Sequence, residues 1–123
     1  METRLLVSIV DDDESVRESL PDLVRELGFE AAAFASAEAF LESQCAVTTR
    51  CLILDLIMPG MGGLELAYEL RARHISVPII FITANQSGVA HAQMLETDAI
   101  ACLYKPFSDI ELSDALKAAV RRH

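Results

Sequence analysis

Asp11, Asp12, Asp55, Thr83 and Lys105 each stand at or just beyond the end of a short apolar run: the two acids after residues 5–10, Asp55 after 51–54, Thr83 after 79–82, and Lys105 after 100–104. If these ends meet, three carboxylates lie within a few ångströms and repel one another by roughly 1 to 4 kcal/mol per pair. A hard divalent cation resolves such a cluster. Mg²⁺ takes oxygen ligands, keeps several waters, and is commonly held by one or two carboxylates together with phosphate oxygens. Beside such an ion, Asp55 can act as a carboxylate nucleophile on phosphorus and form an aspartyl phosphate. The Lys105 ammonium and the Thr83 hydroxyl are then suited to the phosphoryl oxygens. Taken singly, each residue has a plainer role as a turn former, a β-branched strand residue or a solvated charge. Their shared position at the ends of runs is what points to chemistry.

The elements that must position them alternate. Residues 5–10, 29–34, 51–54, 79–83 and 100–104 are short and largely apolar, too brief for helices and free of alternation, as strands covered on both faces are, with 29–34 weak because Ala31-Ala32-Ala33 has no β preference. Between them Val16, Leu20, Leu23, Val24 and Leu27 recur at helical spacing, with Ser15 and Glu18 as a capping box and Gly28 as the stop. Pro21 falls inside this helix and predicts a kink. Ser36 opens a short helix carrying Phe40 and Leu41. Leu64, Ala67, Leu70 and Arg71 mark a third helix reaching about His74, and Val89, Ala92, Gln93 and Leu95 a weak fourth. Ser108 and Glu111 cap a fifth, whose Leu112, Ala115, Leu116, Ala119 and Val120 face inward. Residues 60–63 are turn residues with access to positive φ and do not form a P-loop. Strands alternating with helices predict an α/β fold with a parallel sheet in the doubly wound, flavodoxin-like order 2-1-3-4-5. Its functional crevice lies beyond the carboxyl ends of the strands, where all five polar residues fall.

Composition narrows the class. A chain of 123 residues with 52% hydrophobic content is one domain, 1–123, able to bury about two-thirds of its unfolded surface. A net charge of −9 argues against direct nucleic-acid contact. The absence of a long apolar run or signal-peptide pattern predicts a cytoplasmic protein with no membrane contact. Cys45, Cys51 and Cys102 lack metal or disulfide spacing, and His74, His91 and His123 read as surface residues.

Val10-Asp11-Asp12, Asp55 with Met58-Pro59-Gly60 and Gly62-Gly63, Thr83-Ala84, and Lys105-Pro106-Phe107 resemble, in order and spacing, the receiver domains of two-component response regulators, a CheY-like superfamily. Residues 29–41, with Ser36-Ala37-Glu38-Ala39-Phe40-Leu41, look like the FixJ-type branch, whose members carry a DNA-binding output domain that is not present in these residues. The resemblance implies a (βα)5 domain that serves as a signalling phosphoacceptor, catalysing only its own phosphorylation and slow dephosphorylation. It implies that Asp55 accepts the phosphoryl group and that Mg²⁺ is held by Asp12 directly, Asp11 mainly through water, Asp55, and the Ile57 backbone carbonyl. Thr83, Ala84 and Lys105 contact the phosphate, with a cis Lys105–Pro106 bond, while Asp13 serves the following helix. A bacterial sensor histidine kinase or histidine phosphotransfer protein donates the group, a phosphorylation-dependent homodimer reads it out, and transcription is the controlled process.

Cys102 departs from the pattern, standing where most receivers place a Tyr or Phe that swings inward, and Tyr104 is the candidate substitute. Asp98 takes a turn position where Gly is common. Ile57 and Asn85 occupy the places that orient a hydrolytic water, and Ile57 cannot bond one, which predicts slow self-dephosphorylation. A stand-alone single-domain regulator acting by protein–protein contact is the alternative reading. A haloacid-dehalogenase-like phosphohydrolase is a more remote one, since it needs an Asp where Ile57 stands.

Overall fold

Two strands carry the centre of the molecule, and every one of their side chains is buried: β3 (Cys51–Asp55) and β4 (Ile79–Thr83). Continuous burial requires cover on both faces, which the rest of the chain supplies. In the computed structural model, which describes residues 4–84 and 87–121, β1 (Leu6–Val10), α1 (Glu14–Glu26), β2 (Glu30–Phe34) and α2 (Ala37–Glu42) precede β3. The third helix, α3 (Gly63–Ala72), leads to β4, and α4 (Gly88–Glu96), β5 (Ala101–Tyr104) and α5 (Asp109–Arg121) complete the alternation. The five strands are parallel in the order β2-β1-β3-β4-β5, as predicted for a flavodoxin-like sheet.

The period-two alternation of the strands divides the core. Leu52, Leu54 and Phe81 pack with Phe40 of α2, Leu66 and Leu70 of α3 and Met94 of α4. Cys51, Ile53, Ile80 and Ile82 pack on the other face with Leu20 and Val24 of α1 and Leu112, Leu116 and Ala119 of α5. Among the described residues no helix is long and apolar enough to cross a membrane.

Several local readings are corrected. The cap of α1 is Asp13, whose side chain accepts from the Ser15 amide at 2.9 Å; the chain turns as soon as β1 ends, so the helix starts before the expected Ser15–Glu18 box. Pro21 does lie inside this helix and is itself buried, and Gly28, the expected stop, follows its C-cap with φ of 102°. In α3 the sheet takes Leu66, with Leu64 only half-buried. In α4 the buried face is Ala90 and Met94, whereas Val89 and Leu95 point to solvent. Only Gly60 of the 60–63 turn has positive φ, 74°. The box at α5 forms as expected, with reciprocal 3.1 Å bonds between Ser108 and Glu111, although Val120 in its last turn is half-buried. Asp98 does adopt a left-handed backbone, φ 62°.

Candidate functional site

The carboxyl edge of the sheet gathers the predicted residues. Asp11 extends β1 by one residue, its amide donating to the Phe34 carbonyl at 3.1 Å, and this extra link draws its side chain under the edge with no exposure. Asp55 ends β3 and is 6% exposed; Thr83 ends β4 and is buried. Asp12, one residue past Asp11, is exposed. The three Asp residues offer oxygens that all lie within 4.8 Å of one another. Asp13 stands outside this group and serves α1: the Ser15 hydroxyl and amide that bond it hold its carboxyl below its ordinary pKa.

Lys105 reaches the acids from just beyond β5. Its Nζ donates to Asp11 Oδ2 at 3.0 Å and lies 3.8 Å from Asp55 Oδ1. Its own amide donates to the Thr83 carbonyl at 2.8 Å, which ties the lysine to the end of β4, and the Lys105–Pro106 peptide is cis. Both Asp11 oxygens are engaged, since Oδ1 accepts from the Asp13 amide at 2.9 Å. Asp55, Ile57, Thr83, Ala84 and Lys105 line an open pocket of about 440 Å³, at whose mouth the Ile57 side chain is 60% exposed. A second cleft, about 400 Å³, opens beside His74, Pro78 and Thr97 at the amino end of β4, roughly 13 Å away along the strand, and gathers none of the predicted residues.

Electrostatics follow from the crowding. Burial, and then the charge of Asp11, push the Asp55 carboxyl up to about 7, with Lys105 opposing. Burial alone would lower Lys105, but its hydrogen bond to Asp11 and the charges of Asp55 and Asp11 outweigh that and raise it. Three acids facing one ammonium leave excess negative charge, and an all-oxygen donor set of this kind suits Mg²⁺ in preference to softer metals.

Cys102 is half-buried against the α2–α3–α4 side of the core, and burial raises its thiol. Tyr104 is also half-buried; its hydroxyl bonds His91 Nδ1 at 2.7 Å and the two rings stack with centroids 6.2 Å apart. His91 is exposed as predicted, yet this contact was missed, because nothing local links a helix residue to a strand end 13 positions on. Arg17 was missed likewise; its guanidinium donates to the Asp11 carbonyl at 3.0 Å. Asn85 and His123 lie outside the described residues.

Comparison with known proteins agrees with this geometry. The response regulator receiver domain family matches residues 7–117. Nodulation protein W of Bradyrhizobium diazoefficiens is 42% identical over 120 residues, which cover 98% of this chain and 53% of that protein. Transcriptional regulatory protein FixJ of Azorhizobium caulinodans is 34% identical over 122 residues, covering 99% and 58%. The crystal structure of FixJ-N matches with a TM-score of 0.87 at 34% identity, covering 99% of this chain and 98% of that one. The chain thus spans about half the length of the curated relatives it matches.

Proposed function

The chain belongs to the response regulator receiver domain family, and from that premise we propose that Asp55 is its phosphoacceptor, charged by a phosphohistidine of a sensor kinase or a histidine phosphotransfer protein. Receiver domains are signalling modules that interact with histidine kinases and bind Mg²⁺ at an acidic pocket. The observation that carries the proposal is the meeting of Asp11, Asp12 and Asp55 within 4.8 Å, with Lys105 Nζ 3.8 Å from Asp55 across an open pocket.

In the transfer, an Asp55 carboxylate oxygen forms a bond to phosphorus as the phosphohistidine N–P bond breaks. The departing imidazole nitrogen keeps the electron pair and takes a proton from solvent. A Mg²⁺ held by Asp12, Asp55 and the Ile57 carbonyl, with Asp11 acting through water, would neutralise charge on the phosphoryl oxygens. The indirect role suits Asp11, whose two oxygens already serve Lys105 and the Asp13 amide. Lys105 meets the new charge as an ion pair, while the Thr83 hydroxyl and Ala84 amide donate to the remaining oxygens. Ile57 offers the pocket no acid or base, which separates this chemistry from a phosphohydrolase that turns over small esters.

Phosphorylation then drives a homodimer through the surface of α4, β5 and α5, where Val89, Leu95 and Ile110 are exposed apolar side chains. Within a longer protein like the relatives, this event regulates transcription in the cytoplasm, and the domain's own charge of −9 keeps it off nucleic acid. Incubation with acetyl phosphate or beryllofluoride in Mg²⁺ tests the reading. Modification should map to Asp55 and vanish in Asp55→Asn; no modification, or steady turnover of small phosphate esters, would overturn it.

A further inference from the structure

We propose that Glu38 of α2 is a positioning residue for the metal side of the phosphoacceptor site, acting on the loop between β3 and α3. The inference rests on the reading of Asp55 and Mg²⁺ above. That loop leaves the sheet at Asp55, passes through Ile57, and returns to begin α3 at Gly63. Its base is closed by the Gly63 amide, which donates to the Leu56 carbonyl at 3.0 Å, and Met58 is buried beneath it. Its tip is held from outside. The Met61 amide donates to Glu38 Oε2 at 3.2 Å, across 23 residues of sequence.

The same oxygen lies over Gly60. A Cβ there would sit 2.9 Å from Glu38 Oε2, so the carboxylate occupies the side that any other residue would fill, at a backbone φ of 74°. The Glu38 side chain is exposed, but the helix that carries it is placed firmly. Its residues Ala37 and Phe40 are fully buried in the cluster that includes Leu54, Leu56 and Met58, Phe40 meets Phe34 edge-on at 5.4 Å, and Ser36 caps the helix at 3.0 Å. One side chain therefore fastens the tip of the loop to an element already packed against β3. The loop's first residues supply the Ile57 carbonyl, and groups that orient ligands in this way set metal affinity without touching the metal.

The discriminating property is reach to the Met61 amide. Glu38→Gln keeps an acceptor of the same length and drops the charge; Glu38→Asp keeps the charge and shortens the arm; Glu38→Ala removes both. Calorimetric titration of the unphosphorylated proteins with magnesium chloride should give Glu38→Gln an affinity within twofold of wild type. Glu38→Asp and Glu38→Ala should each bind roughly threefold to tenfold more weakly, the range for one lost hydrogen bond to a charged acceptor at the surface. Exchange of the Met61 amide with solvent should quicken in the same two variants. Wild-type affinity in Glu38→Asp, or a loss in Glu38→Gln equal to that in Glu38→Ala, would overturn the inference while leaving the phosphoacceptor intact. Wild-type protein that binds no Mg²⁺ would instead remove the reading beneath it.

Discussion

Replacing Asp55 with Asn should stabilise the metal-free protein at pH 8 and change it little near pH 4. The folded carboxyl titrates at about 7, pushed there by burial and by Asp11, whereas an unfolded Asp titrates near ~3.9. Between those values the folded chain binds a proton that the unfolded chain has released, so stability falls as the pH rises from about 4 to 7. At about 1.4 kcal/mol per tenfold, a gap of about three corresponds to at most ~4 kcal/mol. A direct check on scale comes from Coulomb's law: two carboxylate oxygens 4.8 Å apart, the outer limit for this cluster, repel by about 1 kcal/mol in water and about 3.5 kcal/mol at an effective dielectric of 20. We expect Asp55→Asn to gain about 1 to 3 kcal/mol at pH 8, a rise of roughly 4 to 12 °C in midpoint for a domain of this size. Thermal or urea unfolding with EDTA across pH 4.5 to 8 measures it, and the difference between mutant and wild type should grow with pH and level off above 7. Saturating Mg²⁺ should close the gap by stabilising the wild type more. A difference that stays flat with pH, or a mutant less stable at pH 8, would refute the reasoning.

Gly63→Ala should be severely destabilising, by about 2 to 4 kcal/mol in thermal unfolding, because the added Cβ would meet the Asp55 carbonyl and the Leu56 Cα at 3.0 Å, backbone atoms of the site itself. Ile57→Asn should hasten loss of the phosphoryl group about tenfold, equivalent to ~1.4 kcal/mol of barrier, by giving a hydrolytic water a partner at the pocket mouth; the decay is followed by phosphate release in Mg²⁺, and a wild type that dephosphorylates within seconds contradicts the premise. Tyr104→Ala should weaken phosphorylation-dependent dimerisation in sedimentation experiments and reduce the accompanying amide shifts in α4, and unchanged values would end the case for Tyr104 as the substitute aromatic.

The parts of the fold that could be read in advance are those where one physical demand dominates. Residues 51–54 and 79–82 had to be continuous apolar runs because helices cover both faces, and burial bears this out at all their positions. Convergence of Asp11, Asp55, Thr83 and Lys105 follows from parallel strands sharing one carboxyl edge, so topology alone brings the site together. Where two demands were nearly balanced, reading failed. In α4 the apolar residues are spread around the helix, so no single period marks the face, and the one that is buried carries Ala90 and Met94. In α1 two caps two residues apart competed, and the early turn after β1 chose Asp13. Contacts of Glu38 with Met61 and of His91 with Tyr104 join elements whose approach no local period encodes.

Under the proposed function, Cys102 alters the route a signal would take, and the register of the last strand pair bears on how. Cys102 lies opposite Phe81, whereas Tyr104 lies opposite Thr83. A hydroxyl drawn toward a new phosphoryl group at Asp55 therefore disturbs the end of β4 beside Tyr104, next to the Lys105 amide that bonds the Thr83 carbonyl. Lys105 has its own reason to move, because turning the Asp55 carboxylate into an acyl phosphate adds about one further negative charge and three acceptor oxygens there, against its present preference for Asp11. Tyr104 stands in register with Thr83 and directly before Lys105, and its 2.7 Å bond to His91 links that strand end to α4. In receivers with a swinging aromatic, a ring fills the space that the hydroxyl vacates; a cysteine is too small to do so. Under the proposed function, the switch would draw its differential energy, about 5.5 kcal/mol for a shift from 1% to 99% active, mainly from the re-pairing of Lys105 with the phosphoryl group and from a bound cation. On that account the carboxylate repulsion that weakens the resting protein above pH 4 is what a bound cation relieves, and the phosphoryl group adds the charge that draws Lys105 away from Asp11.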